Sequence, residues 1–249
     1  DASLPGLPAG VEAKVVASPL VKLPYVMVAR KEIRRPQDLK GKAIGVTRPG
    51  DLSARLSRQV VRKFGLTTDE VTIHPIGGSQ TERYQAMVGN VVQAILVTPP
   101  LDVRAKHDGF NVIYRLIDLE IPFIYSSLLT NYKMLRERPE IVQRMVAALA
   151  EAVYFVEKNQ NKAKAAIAKA MRNKDEEALQ SSYNVYAKEI VDRTMLVPAK
   201  SVREAGEIAR ETGTVVRRKP EERYDNSFVN NLEKSGFLKE IWGTENYRR

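Results

Sequence analysis

The chain has 249 residues, 43% of them hydrophobic, a formal net charge of +10 and no cysteine. That length can bury a sizeable core and fill two lobes, and the missing thiols exclude disulfides, thiolate metal sites and cysteine nucleophiles together. No apolar run reaches the roughly eighteen residues of a membrane-spanning helix, and the basic excess is spread evenly, not gathered into a stripe with interleaved aromatics, which argues against nucleic acid as a partner.

In chain order, residues 1–10, with Pro5, Gly6, Pro8 and Gly10, read as a loop. Val11 to Ala17 reads as a strand closed by Ser18-Pro19, and Pro24 to Ala29 as an extended crossing between lobes. Lys42 to Thr47, between Gly41 and Pro49-Gly50, is a short apolar run typical of a buried strand. After that break Asp51 or Ser53 caps a helix in which Leu52, Leu56, Val60 and Phe64 recur every fourth residue, and Gly65 stops it. Val71 to Ile76 is the next strand, Gly77-Gly78-Ser79 a loop and Thr81 to Val88 a helix. Val91 to Val97 is a buried strand ended by Thr98-Pro99-Pro100, and Asn111 to Leu116 closes the series.

Pro122 to Thr130 is expected as an extended return crossing, with helices beyond it. Pro139 opens a helix with Ile141, Met145 and Leu149 on one face. Lys162 to Met171 follows, then a helix capped by Asp175 with a stripe of Leu179, Tyr183, Tyr186 and Ile190. Ser201 with Glu204 fits a capping box ahead of Gly213, and Phe228 with Leu232 marks a last helix ending at Gly236.

Strand, tight loop and helix start recur, so the loops at Arg48, Gly78 and Pro99 fall at the carboxyl ends of strands in one sheet, where α/β sheets collect ligands. No G-x-S-x-G elbow, P-loop or G-x-G-x-x-G occurs. His74 and His107 stand at no metal-ligand spacing from each other or from other donors. Glu176-Glu177 and Glu221-Glu222 lie in polar contexts where a solvated face is the default. The residues give catalysis no footing, and neither a metal nor a cofactor is expected.

The wording P-Y-V-M-V-A-R-K-E-I-R-R-P-Q-D-L-K-G-K-A-I-G-V-T at Pro24 to Thr47 resembles the solute-binding proteins of nitrate-, sulfonate- and taurine-type ABC importers. I-G-G-S at Ile76 to Ser79, A-M-V-G-N-V-V-Q-A-I-L-V-T-P-P at Ala86 to Pro100 and G-F-N-V-I at Gly109 to Ile113 follow in the family's order. The resemblance implies an α/β fold of two lobes, type II periplasmic-binding-protein-like, with residues 1–29 and 122–249 in a first, helix-rich lobe and 30–121 in a small doubly wound second lobe. Several strand-helix units expected ahead of residue 11 are absent, about 60 to 90 residues at ~30 per unit, so the first lobe is expected to be incomplete.

The family implies a small, anionic solute bound in the cleft between lobes and passed to ABC permease subunits. The expected contacts are Arg48, Gly50, Asp51, Ser53, Gly78, Ser79, Gln80, Thr98 and Pro100 on the loops, with Ser18, Tyr25 and Tyr125 on the hinge side. Export to the periplasm or the outer membrane face is implied, with any leader lying outside the chain. Relatives that synthesise the thiamine pyrimidine use a cysteine-rich motif, so the lack of cysteine favours binding over that activity. The alternative is a degenerate or regulatory module acting by protein association. Val11 to Ala17, short of parallel partners, is expected to leave an open edge through which two copies pair as a homodimer.

Overall fold

Val15, Val16 and Ala17, Val26–Ala29 and Ala94–Val97 are all buried, and such short apolar runs with β-branched side chains form strands covered on both faces. The computed structural model describes residues 6–121, 123–211 and 213–243. Its first elements are α1 (Gly6–Ala9), β1 (Ala13–Leu20), β2 (Val26–Ala29), β3 (Ala43–Val46), α2 (Leu52–Lys63), β4 (Thr72–Pro75), α3 (Gln80–Val88), β5 (Ala94–Val97), α4 (Leu101–His107), β6 (Asn111–Arg115) and β7 (Ser126–Asn131). Seven helices complete it: α5 (Tyr132–Glu137), α6 (Pro139–Lys158), α7 (Gln160–Met171), α8 (Glu176–Asn184), α9 (Ala199–Glu211), α10 (Ser227–Lys234) and α11 (Phe237–Trp242).

The chain separates into two units. One takes the residues up to Leu23, Ile121–Ala166 and Tyr186 onward; the other takes Pro24–Glu120 and Ile167–Val185. The second holds a five-stranded sheet in the order β4-β3-β5-β2-β6. β3 runs parallel to β4 and β5, whereas β2 lies antiparallel between β5 and β6. Residues 24–29 are therefore not a crossing between lobes: Val26–Ala29 is bonded on both sides as an interior strand. Hydrophobic pattern alone cannot separate a buried strand from an apolar link. Val28, Ile95 and Val97 pack with Tyr84 and Met87 of α3 and Ala105 of α4. Residues 167–185 join this unit as α8 docks on α4, where Ser181 Oγ donates to Asp102 Oδ2 at 3.1 Å.

In the first unit β1 and β7 form an antiparallel ribbon, from Ala13 opposite Asn131 to Leu20 opposite Ser126. The end of the segment expected as a return crossing is thus a strand; Pro122, its first residue, lies outside the described residues. The open edge expected of β1 is covered. Val15 N–H donates to Arg223 O at 3.0 Å, Asp225 N–H to Val15 O at 2.8 Å, Ser18 N–H to Met195 O at 2.8 Å and Asp192 N–H to Pro19 O at 2.8 Å. These bonds remove the premise from which pairing of two copies was inferred.

Val16 and Ala17 pack on Val142, Val146 and Ala150 of α6 and on Phe228, Leu232 and Trp242. The buried face of α6 is one position on from the expected Ile141, Met145 and Leu149, and Met145 is half exposed. The stripe from Leu179 to Ile190 is not one α-helix, because α8 ends at Asn184 and a π turn spans Val185–Glu189. Ser201 lies inside α9, not at its cap: the helix begins at Ala199, and Val202 N–H already bonds Pro198 O. Of the expected N-terminal loop, residues 1–5 lie outside the described residues and Gly6–Ala9 is one helical turn.

Candidate functional site

The parallel strands fix where the loops go. The C-terminal ends of β3, β4 and β5 lie at one edge of the sheet, and because β2 runs the other way, Tyr25 at its start comes to the same edge: Val26 pairs with Val97 and with Arg115. Tyr25 O accepts from Leu116 N–H at 2.9 Å. Ten of the twelve expected contacts therefore share this edge, namely Tyr25, Arg48, Gly50, Asp51, Ser53, Gly78, Ser79, Gln80, Thr98 and Pro100.

The first loop is built from its own polar groups. Asp51 caps α2 by accepting from Ala54 N–H at 3.0 Å, and Ser53 Oγ donates to the same oxygen at 2.7 Å while accepting from Thr47 N–H at 3.0 Å. The Asp51 carboxylate and the Ser53 hydroxyl are thus engaged within the loop. Arg48 and Gly50 are exposed. At the start of α2 the Leu52 and Ser53 N–H groups have no partner among the described residues, as expected for a first helical turn.

The second loop is closed by a capping box: Ser79 Oγ accepts from Glu82 N–H, and Glu82 Oε2 accepts from Ser79 N–H. The bond to Ser79 N–H holds the Glu82 carboxyl below its usual range. Gly78 sits at φ +57°, and a Cβ there would lie 2.2 Å from Glu82 Oε2, so this turn needs glycine. At the start of α3 the Gln80 and Thr81 N–H groups also lack a partner among the described residues.

The loops are tied to one another. Gly77 N–H donates to Thr47 O at 3.1 Å. Gln80 Oε1 accepts from the buried Thr98 N–H at 2.8 Å, which joins the second loop to the third. Pro100 starts α4 after a cis Pro99–Pro100 bond.

Beneath them lies Arg83, which the sequence reading did not select. It is 6% exposed, and its Nη1 donates to Thr47 Oγ1 at 2.8 Å and to Gly78 O at 3.1 Å. Burial pulls its pKa down, and Asp51, Tyr25 and Glu82 partly oppose that shift. A signal existed: Arg83 stands four residues before Met87, next to Tyr84, on the face of α3 that enters the core.

Ser18 and Tyr125 belong to the other unit. Ser18 is buried, its hydroxyl donating to Ser126 O at 3.0 Å. Tyr125 stacks on Tyr186 with ring centres 6.0 Å apart. The same unit has a cavity of about 690 Å³ lined by Lys22, Glu157, Lys188, Asp192 and Arg193 among others. Arg193 pairs there with Glu157, and Asp192 accepts from Thr194 N–H at 2.8 Å. Among the described residues no three side chains of metal-ligating type cluster, and no helix is long and apolar enough to cross a membrane.

A mixed sheet with loops gathered at the carboxyl ends of its parallel strands, together with a second, helix-rich unit drawn from both ends of the chain, defines the α/β periplasmic-binding-protein-like class. The chain belongs to the NMT1/THI5-like family, whose model matches residues 6–163. Its fold is that of the nitrate-, sulfonate- and taurine-type solute-binding proteins.

Solved structures share this fold. The alkanesulfonate-binding protein SsuA from Xanthomonas axonopodis pv. citri, bound to MOPS, is 17% identical with a TM-score of 0.64, over 87% of this chain and 74% of its own. The periplasmic aliphatic sulphonate binding protein SsuA from Escherichia coli is 19% identical with a TM-score of 0.64, over 87% and 73%. The desulfurization enzyme DSZB is similar too, at 17% identity and a TM-score of 0.67, over 94% and 84%. No curated protein sequence matches the chain.

Proposed function

We propose that this chain is the exported solute-binding component of an ABC import system and that it takes a small anionic solute at the loop edge of the 24–120 unit. One observation carries this reading. Three loops, each at the C-terminal end of a parallel strand, are fastened together by Gly77–Thr47, Arg83–Thr47 and Gln80–Thr98 bonds, with two helix N-termini opening on the same edge. Preorganised loops with unpartnered N–H groups and two positive helix ends suit a negative ligand, and each end contributes roughly 0.3–1 kcal/mol.

Binding is favoured over turnover although an enzyme shares the fold. The chain has no thiol, and His107 is held by Glu177 away from the loop edge. Two sulfonate-binding proteins among the fold neighbours support an anionic solute, and the one named as periplasmic supports export.

Calorimetric titration of the chain with small sulfonates, sulfate and nitrate tests the proposal. At least one is expected to bind, and Arg48→Ala, an exposed change, is expected to weaken it. Identical isotherms for Arg48→Ala and the parent would remove the loop edge as the site. Failure of every anion, together with capture of a protein partner, would favour the association module instead.

A further inference from the structure

Positive charge outweighs negative at the loop edge, and Arg83 is its buried part. The Asp51 and Glu82 carboxylates face Arg48, Arg58, whose Nη1 donates to Pro49 O at 2.9 Å, and two helix ends each worth about half a unit charge. Arg83 differs from the exposed arginines in being buried without a direct ion pair: among the described residues no carboxylate lies within ion-pair distance of it, and Asp51 and Glu82 favour its charge only from farther off. Asp51 is engaged by Ala54 and Ser53, and Glu82 by Ser79.

Arg83 also keeps one hydrogen-bonding group in reserve. Its Nε is buried with no partner, although buried donors are nearly always satisfied. A guanidinium cannot escape by losing its proton at physiological pH. The fold therefore keeps a buried guanidinium with no carboxylate in contact, 2.8 Å from Thr47 Oγ1 and 3.1 Å from Gly78 O, on the inner side of both loops. A structural arginine in such a place normally has a carboxylate beside it.

Resting on the solute-binding reading above, we propose that Arg83 is the positioning residue of this edge and the origin of its preference for anions. The two bonds from its Nη1 hold the Thr47 and Gly78 loops at one separation, and its charge, which no carboxylate contacts, selects a negative head group over a neutral one of the same shape. Arg48, exposed on the same edge, adds a positive charge that salt screens more strongly than it does a buried one.

The test compares methanesulfonate with dimethyl sulfone, which match in shape and differ in charge, on the full chain and on Arg83→Gln and Arg83→Lys. The parent is expected to prefer methanesulfonate by about ten- to a hundredfold, the scale of one charge acting across a few ångströms of protein. Arg83→Gln should bring that ratio close to one. Arg83→Lys should keep the preference while weakening both probes, because the charge stays while the shorter ammonium cannot reproduce the placement of Nη1 between the two loops. In the parent, the Arg83 Nε–H resonance should move with methanesulfonate and stay still with dimethyl sulfone, a readout that holds even if Arg83→Gln does not fold.

An unchanged ratio in Arg83→Gln, a parent that binds both probes alike, or an Arg83 resonance indifferent to methanesulfonate would each overturn the proposal. If the parent binds dimethyl sulfone as well as or better than methanesulfonate, Arg83 is no anion selector, yet the solute-binding reading stands. If neither probe binds and the resonance does not move, the Arg83 proposal falls, and the anion titrations above decide the wider reading.

Discussion

His107 Nε2 lies 2.9 Å from Glu177 Oε2, joining the end of α4 to the first turn of α8. That contact is the main reason the imidazole pKa is raised; desolvation opposes it, and the charges of Glu177, Asp175 and Asp108 add smaller amounts. A raised folded-state pKa means that the stabilisation is fully present below about pH 6.5, the unfolded value. It is lost as pH rises through the folded value. NMR titration of His107 should give a midpoint above that of an unfolded histidine, falling toward it in Glu177→Gln. A midpoint unmoved by that substitution would contradict the assignment.

Gly206→Ala should destabilise the first unit. Gly206 lies inside α9, where alanine is ordinarily better by ~0.5–1 kcal/mol. Here a Cβ would stand 2.4 Å from Arg223 Nη1. Arg223 is 2% exposed, with Nη1 donating to Val202 O at 3.2 Å and Nε to Arg218 O at 3.0 Å, so it has nowhere to go. Overpacking of this kind costs about 1–3 kcal/mol, and urea unfolding of the variant should show a lower midpoint. An unchanged or higher midpoint would mean that Arg223 yields.

Gln80→Ala removes the acceptor for the buried Thr98 N–H. The orphaned donor should cost about 1–3 kcal/mol. Hydrogen exchange offers the more local check, since the Thr98 amide should exchange much faster in the variant while amides of β3 change little. Equal protection at Thr98 would show that another acceptor serves.

Asp51→Asn separates capping from charge. Asparagine caps about as well as aspartate, so stability should change by only a few tenths of a kcal/mol, whereas Asp51→Ala should cost about 1 kcal/mol. Removing the negative charge should raise affinity for the best-bound anion by up to about tenfold, with the gain shrinking at high salt. Weaker anion binding by Asp51→Asn would place the carboxylate on the solute's side, as a hydrogen-bond acceptor.

Long elements with clear punctuation were legible in the sequence. Asp51 caps α2, and Leu56 and Val60 enter the core as their spacing requires; β3 and β5 sit within the runs that announced them. Shorter elements left too little pattern: α4 has seven residues after a Pro-Pro pair and α5 has six, less than two turns each. β2 and β7 were recognisable as extended, but apolar runs carry no mark of direction or partner. For the site, turn residues located the three loops. Arg83 was hidden because an arginine in an amphipathic helix is solvated by default, and only its companions Tyr84 and Met87 hinted otherwise. The Ser79–Glu82 capping box was readable in S-Q-T-E and went unused.

The ribbon of β1 and β7 also sets a schedule. Ser18 and Ser126, which its hydrogen bonds bring together, are 108 residues apart in the chain. At a synthesis rate of about 5–20 residues per second, β1 leaves the ribosome roughly 5–20 s before its partner exists. The groups that cover its other edge, near Asp192 and Arg223, come later still. Through that interval the intervening five-stranded sheet can close on contacts of its own, while Val15, Val16 and Ala17 wait as a naked adhesive strand. Slowing translation after residue 120 lengthens that interval and should increase aggregation rather than relieve it.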